Sequence, residues 1–201
     1  MPFAPVTTPQ KPIKYALQGP TGSGKTHWAL AIMDVLRGDK PMALLDTESE
    51  RGKLFARKYT YDYLQLSDFD PNRYVAALAE ACGVQLRWPL PQLQLASDTI
   101  PDLIMAAKDA PYGGLVMDSI THAWDNTNGL LDQVAKAGGQ FQDAWRKIGT
   151  PLQNRFMQSI IKAPIHLGCT MRVKMDYILE ETVNKSGYKT TSPKRIGLRG
   201  I

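Results

Sequence analysis

The chain has 201 residues, 43% of them hydrophobic and 21% charged, with a formal net charge of +5. That composition suits one α/β domain with a substantial core, and it excludes a fibrous or low-complexity chain. No apolar run approaches the roughly 18 residues a membrane span needs, and the opening MPFAPVTTPQKP lacks the charged and apolar regions of a secretory signal, so a cytoplasmic protein is expected.

In chain order, residues 1–12 read as a flexible Pro- and Thr-rich arm and 13–201 as one core. Ile13–Gln18 is a short strand that runs into a glycine-rich turn. Lys25–Arg37 follows as a helix, with Trp28, Ala31, Ile32 and Val35 at near-helical spacing and Gly38 as its stop. Pro41–Thr47 is an apolar strand ending on acids, and Tyr61–Leu66 is a third strand. Asp70-Pro71 pairs an N-cap with proline at the first helical position, which starts a helix ending near Cys82.

Residues 84–101, with Pro89, Pro91 and Pro101, fit no period and read as an inserted loop, with a short helix after it. Leu115–Asp118 is a buried strand, Thr150-Pro151 repeats the cap-plus-proline pattern before a helix faced by Leu152, Phe156 and Ile160, and Ile165–Met171 is a further strand. Asp176–Thr191 alternates around Asn184-Lys-Ser-Gly187 and reads as a C-terminal β-hairpin. Strands alternating with helices predict an α/β fold with a mostly parallel sheet flanked by helices. Cys82 and Cys169 have no cysteine or histidine neighbour at ligand spacing and read as reduced thiols.

The chemistry begins at Gly19-Pro-Thr-Gly-Ser-Gly-Lys-Thr26, a full G-x-x-x-x-G-K-[ST] phosphate loop between a strand and a helix. Its cofactor-binding residues are then Gly19, Pro20, Thr21, Gly22, Ser23, Gly24, Lys25 and Thr26, whose backbone N–H groups and helix N-terminus face phosphate oxygens. The spacing assigns Lys25 to the β- and γ-phosphates of ATP, and Thr26 with Asp118 to Mg2+. Ser119 follows Asp118 and cannot polarise water, so a base is expected from another strand. Asp46 and Glu48, where the second strand leaves the sheet, can face the γ-phosphate, and Glu48 is the expected base. A salt bridge from Glu48 to Arg51 or Lys53 in a solvated turn is the competing expectation.

These residues resemble the RecA-like recombinase core of the P-loop ATPases, which has an Asp-x-Glu after the second strand with the Glu as base, then a Val-Asp-Ser strand end. Asp46-Thr-Glu48 and Met117-Asp118-Ser119 stand at those places. The family's later strand ends in a polar sensor followed by Arg-x-Lys, here Thr170-Met-Arg172-Val-Lys174, with Thr170 where the family usually has Gln. Asp118-Ser-Ile-Thr-His-Ala-Trp124, Ala144-Trp145…Thr150-Pro151, Thr170–Tyr177 and Arg195-Ile-Gly-Leu198 are similar to segments of the phage-encoded, core-only AAA or RecA-like ATPases associated with single-strand annealing and recombination. Members typically continue past the last of these segments, so the C-terminus reads as naturally short or truncated.

The resemblance implies a Mg2+-dependent ATPase acting on single-stranded DNA as a homo-oligomeric ring or filament, in the host cytoplasm. It implies catalytic roles for Lys25, Glu48 and Thr170. The two loops that face the filament axis in recombinase cores correspond to 126–147 and 174–194. The first mixes Lys136, Phe141, Trp145, Arg146 and Lys147, cations and aromatics that suit a single strand. Phe141 and Trp145, four apart, equally fit the buried stripe of a helix. Arg172, Lys174, Lys194 and Arg195 are expected either on DNA or on a neighbouring subunit's ATP. A nucleotide-gated binding or assembly module with little turnover, a small-molecule phosphotransferase and a packaging or chaperone ATPase share the same phosphate loop and stand as alternatives.

Overall fold

A computed structural model describes residues 11–90, 98–183 and 189–200. The strands β1 (Lys14–Gly19), β2 (Met42–Asp46), β3 (Asp62–Gln65), β4 (Gly114–Asp118) and the first part of β5 (His166–Val183) run parallel in the order β1-β5-β4-β2-β3. Between them come α1 (Lys25–Leu36), α2 (Pro71–Ala81), α3 (Ile100–Met105), α4 (His122–Asp125), α5 (Leu130–Lys136), α6 (Phe141–Ala144) and α7 (Thr150–Lys162). β6 (Lys189–Gly200) closes the described chain.

Strand alternation divides the core between the two faces of the sheet. On one face, Met42, Leu44 and Val116 meet Ala29, Leu30 and Met33 of α1. On the other, Leu45, Leu115, Met117 and Leu167 meet Tyr74, Val75 and Leu78 of α2, Ile104 of α3 and Ile160 of α7. Each large side chain buried in this way contributes about 1.5–3 kcal/mol. The α1 stripe differs from expectation: Trp28 and Val35 are 60% and 82% exposed, while Ala29, Leu30 and Met33 are buried. The segment WALAIMDVL is apolar nearly all round, so spacing alone does not choose its inward face.

The Asp70 cap is as expected, its carboxylate accepting from the Asn72 N–H at 2.9 Å. α7 does begin at Thr150-Pro151, but without the expected cap. Thr150 has helical angles and no side-chain cap, and the chain runs from α6 into α7 through a π-helical turn, Trp145–Gly149, where the Thr150 N–H reaches the Trp145 carbonyl. Pro151 has no N–H for a carbonyl four residues back, and the widened turn carries the helix past it. Near the C-terminal end of α7 the Lys14 ammonium donates to the carbonyls of Ala163 and Ile165, and burial lowers its pKa to about 8.

β5 serves two sheets. Its Leu167–Arg172 stretch pairs with β1, and from Val173 onward it pairs antiparallel with β6, Val173 opposite Gly200 and Val183 opposite Lys189. The expected hairpin therefore starts earlier than Asp176, while its turn at 184–188 lies outside the described residues. Ile100 and Ile104 of α3 belong to the main core, and 91–97 also lie outside the described residues. Cys82 and Cys169 are buried free thiols, their pKa values pushed up by that burial to about 11 and about 12.

Gly113, just before β4, hydrogen-bonds Pro41 and His166, and a Cβ there would sit 2.3 Å from the Arg37 carbonyl oxygen. Backbone cannot swing aside as a side chain can. Gly113→Ala is therefore expected to lower stability by about 1–3 kcal/mol, read as a lower urea midpoint with unchanged slope.

Candidate nucleotide site

The phosphate loop leaves β1 at buried Gly19 and turns through Gly22 and Gly24, at φ 82° and 81°. These left-handed angles strain any residue with a Cβ, which accounts for the fixed glycine of the motif at Gly24 and for this chain's glycine at 22. Gly24 is also the residue from which α1 starts. The Lys25 ammonium folds back to the Pro20 carbonyl at 2.9 Å, inside the loop it belongs to.

Asp118 is 1% exposed at the tip of β4. Its Oδ2 accepts from the Thr26 hydroxyl at 2.5 Å and its Oδ1 accepts from the buried Thr170 hydroxyl. Burial raises its pKa; the two hydroxyl hydrogen bonds oppose the shift, and the Glu48 and Asp46 charges add to it. A buried carboxylate held by neutral hydroxyls, with Lys25 turned elsewhere, has the chemistry of a divalent-cation ligand. Among the described residues no cluster of three or more His, Cys, Asp or Glu side chains forms a metal cage. A Thr–Asp pair fits Mg2+, which uses few protein ligands and completes its shell with phosphate and water.

The two acids at the end of β2 part company. Asp46 is fully buried, accepting from the N–H groups of Glu48 (2.6 Å) and Gly52 (2.8 Å) and from the Tyr63 hydroxyl (2.9 Å). It shapes the turn and, unlike the expectation for both acids, does not line the cavity at the phosphate loop. Ser49 and Glu50, both in the left-handed region, then redirect the chain into a short 3-10 helix, Arg51–Phe55. Glu48 does reach the phosphate loop: it lines a cavity of about 240 Å³ with Lys25, Thr26, Asp118, Arg51 and Phe55.

Glu48 is held from behind by Arg172, whose Nε donates to Oε1 at 2.7 Å, while Arg51 lies 3.8 Å from Oε2. Lys53, the other expected partner, pairs with Glu50 instead. Burial works to raise the Glu48 pKa, but the Arg172 hydrogen bond and the positive charges around it prevail and lower it.

A polar network beneath these side chains was not visible as a motif. The Thr47 hydroxyl meets the Asp118 and Ser119 carbonyls and His122 Nδ1, and accepts from the Ser119 N–H. His122 is buried, and desolvation followed by the Arg172 charge lowers its pKa. The Asp118–Ser119 peptide is cis. Thr47 and His122 come from separate strand ends, so no local spacing marks them as partners.

Phe141 is 62% exposed and stacks on Trp145, which meets Trp124 edge to face. The half-buried Trp145 joins a small cluster with Leu130, Val134 and Leu152, so of the two aromatics only Trp145 packs inward. Lys136 pairs with Asp132 and Arg146 with Asp143 on the surface. Lys174, Lys194 and Arg195 fall on the hairpin strands, where the backbone alone is described.

No helix among the described residues is long and apolar enough to cross a membrane. No curated protein matches the chain. A crystal structure of the RadB recombinase resembles it at 20% identity with a TM-score of 0.35, over 83% of this chain and 64% of that one, so this chain spans less than two thirds of that structure's length. The fold is five parallel strands flanked by helices, with the phosphate loop leaving β1. Residues 11–198 match the family described as an AAA domain, and the chain belongs to that family.

Proposed function

We propose that the chain binds Mg2+–ATP on Gly19–Thr26 and hydrolyses it with Glu48 as base, acting on single-stranded DNA in phage-type recombination or annealing as a homo-oligomer in the host cytoplasm. One observation carries this reading: Lys25, Thr26, Asp118 and Glu48, from three separate strand ends, line a single cavity. Backbone N–H groups of the loop and Lys25 bind the phosphates, and Leu54 with Phe55, on the same wall, offers an apolar surface to the nucleoside. Mg2+, held by Thr26 and Asp118, would neutralise charge on the β- and γ-phosphates. Glu48 orients the attacking water and takes its proton. Thr170 fixes the Asp118 carboxylate through Oδ1.

DNA is assigned to the first loop by the exposed Phe141 and its stack on Trp145, with Lys136, Arg146 and Lys147 near in sequence. Arg172 supports a second reading, a nucleotide-gated binding module with little turnover, because its ion pair occupies the proposed base.

Glu48→Gln is expected to lower steady-state hydrolysis by about 10²–10⁴-fold while leaving nucleotide affinity nearly unchanged. A variant as fast as wild type rejects Glu48 as base; a wild type without turnover, alone or with an oligonucleotide, favours the second reading.

Asp118→Asn separates function from stability. Because burial raises the Asp118 pKa in the native state, its contribution to stability is fully present below the ordinary aspartate pKa and is lost as pH rises through the raised value. The near-isosteric amide removes that buried charge. Without nucleotide the variant is expected to melt higher than wild type at pH 8, with the difference shrinking toward pH 4, while Mg2+-dependent hydrolysis falls sharply. Parallel melting curves and rate assays check both halves.

Phe141→Ala is expected to weaken binding of an unstructured oligonucleotide by about 1–3 kcal/mol, the worth of one base–aromatic stack. Fluorescence anisotropy at two salt concentrations reads it, and an unchanged affinity removes Phe141 from the interface.

A further inference from the structure

Beside Glu48 lies a second cavity of about 270 Å³ lined by Thr47, Glu48, Ser49, Arg51, Phe69, His122, Asn126 and Arg172. Its walls come from the segments that follow β2, β3 and β4 and from Arg172 within β5, and Glu48 and Arg51 line both cavities. The Glu48 carboxylate sits between two guanidiniums, hydrogen-bonded to Arg172 and near Arg51. Two arginines converging on one carboxylate make a fork that a phosphate group also fits, since both anions offer oxygens to paired N–H donors. The opening is accessible from solvent: the Arg51 side chain is 58% exposed and that of Arg172 34%, whereas Glu48 is 10% exposed.

We propose that this cavity is an oxyanion site, taking one phosphate group between Arg172 and Arg51, and that its occupation draws Arg172 away from Glu48 and releases the base. The proposal rests on Glu48 being the base, as read above. Glu48 then serves as its own inhibitor: until an external anion replaces it, the carboxylate fills the fork and its oxygen is spent on Arg172. Release also restores basicity, because the Arg172 hydrogen bond and charge hold the Glu48 pKa down. Neutral Asn126 and the buried ring of His122 add no competing negative charge at the mouth. Asp125, which also acts on Arg172, belongs to the helix that opens the same loop.

The phosphate group is either a diester of the single strand or free phosphate. Asn126 begins the loop to which the strand is assigned, and the Arg172 N–H is anchored to the Thr121 hydroxyl at 2.9 Å, so the guanidinium can turn while its backbone stays fixed. Arg172 is thus a positioning residue, acting through Glu48.

The test uses the full chain with Mg2+–ADP in excess to fill the phosphate loop. Sodium phosphate and, separately, a short oligothymidylate are titrated calorimetrically into wild type, Arg172→Gln and Arg51→Gln, and hydrolysis rates are measured without ADP, with and without each anion. Arg172→Gln is expected to bind phosphate at least tenfold more weakly, to hydrolyse ATP several-fold faster than wild type without any added anion, and to gain nothing from the oligonucleotide. Stimulation of wild type by phosphate alone identifies a free anion as the ligand; stimulation by the oligonucleotide alone identifies the diester. A slower Arg172→Gln, or one stimulated as strongly as wild type, overturns the proposal. Should that variant melt early, Arg51→Gln decides: unchanged phosphate affinity and unchanged basal rate overturn it equally. Failure of the base assignment shows separately, as a Glu48→Gln variant with undiminished turnover.

Discussion

The carboxylate of Asp118, buried and held by two threonine hydroxyls, is the junction on which the site depends. Thr26 brings the first turn of α1 to it and Thr170 brings β5, so one side chain fixes the phosphate loop relative to two further strands. Its carbonyl receives the Thr47 N–H, which ties the end of β2 to the same point. Four segments thus converge at one residue whose carboxylate forms no salt bridge among the described residues. Burial disfavours its ionised form while the two hydroxyl donors partly offset that cost without discharging it, which leaves the site receptive to an external positive ion.

Local signals were legible where a few consecutive residues specify the backbone. Gly22 and Gly24 permit the left-handed angles the phosphate loop takes, and Asp70-Pro71 contains its own cap, so the structure agrees at both places. Alternation within β2 and β4 likewise separates the two faces of the sheet. Thr150-Pro151 misleads for an instructive reason: proline is tolerated at a helix start, but a π turn tolerates it too, and that turn depends on the Trp145 ring lying against Gly149. For α1 the inward face is set by what β2 and β4 present to it.

Residues that cooperate across long stretches of chain were not legible. Glu48 and Arg172 are 124 positions apart and meet only because β5 lies beside β4 and β4 beside β2. Spacing suggested Arg51 or Lys53 for Glu48; Arg51 does lie 3.8 Å away, but the hydrogen-bonded partner at 2.7 Å is Arg172. Asp46 shows the converse. It looked equivalent to Glu48 in sequence, yet the donors at Glu48 N–H, Gly52 and Tyr63 hold it as a scaffold for the turn.

The continuity of β5 has a mechanical consequence. Arg172 is the last residue paired with β1, opposite Gly19 where the phosphate loop begins, and Val173 is the first paired with β6. No linker absorbs motion between them. The hairpin stretch of β5, Val173–Val183, extends about 35 Å at the usual strand rise. A displacement of that arm would reach Arg172 within one residue, and with it both the strand partner of Gly19 and the guanidinium that holds Glu48.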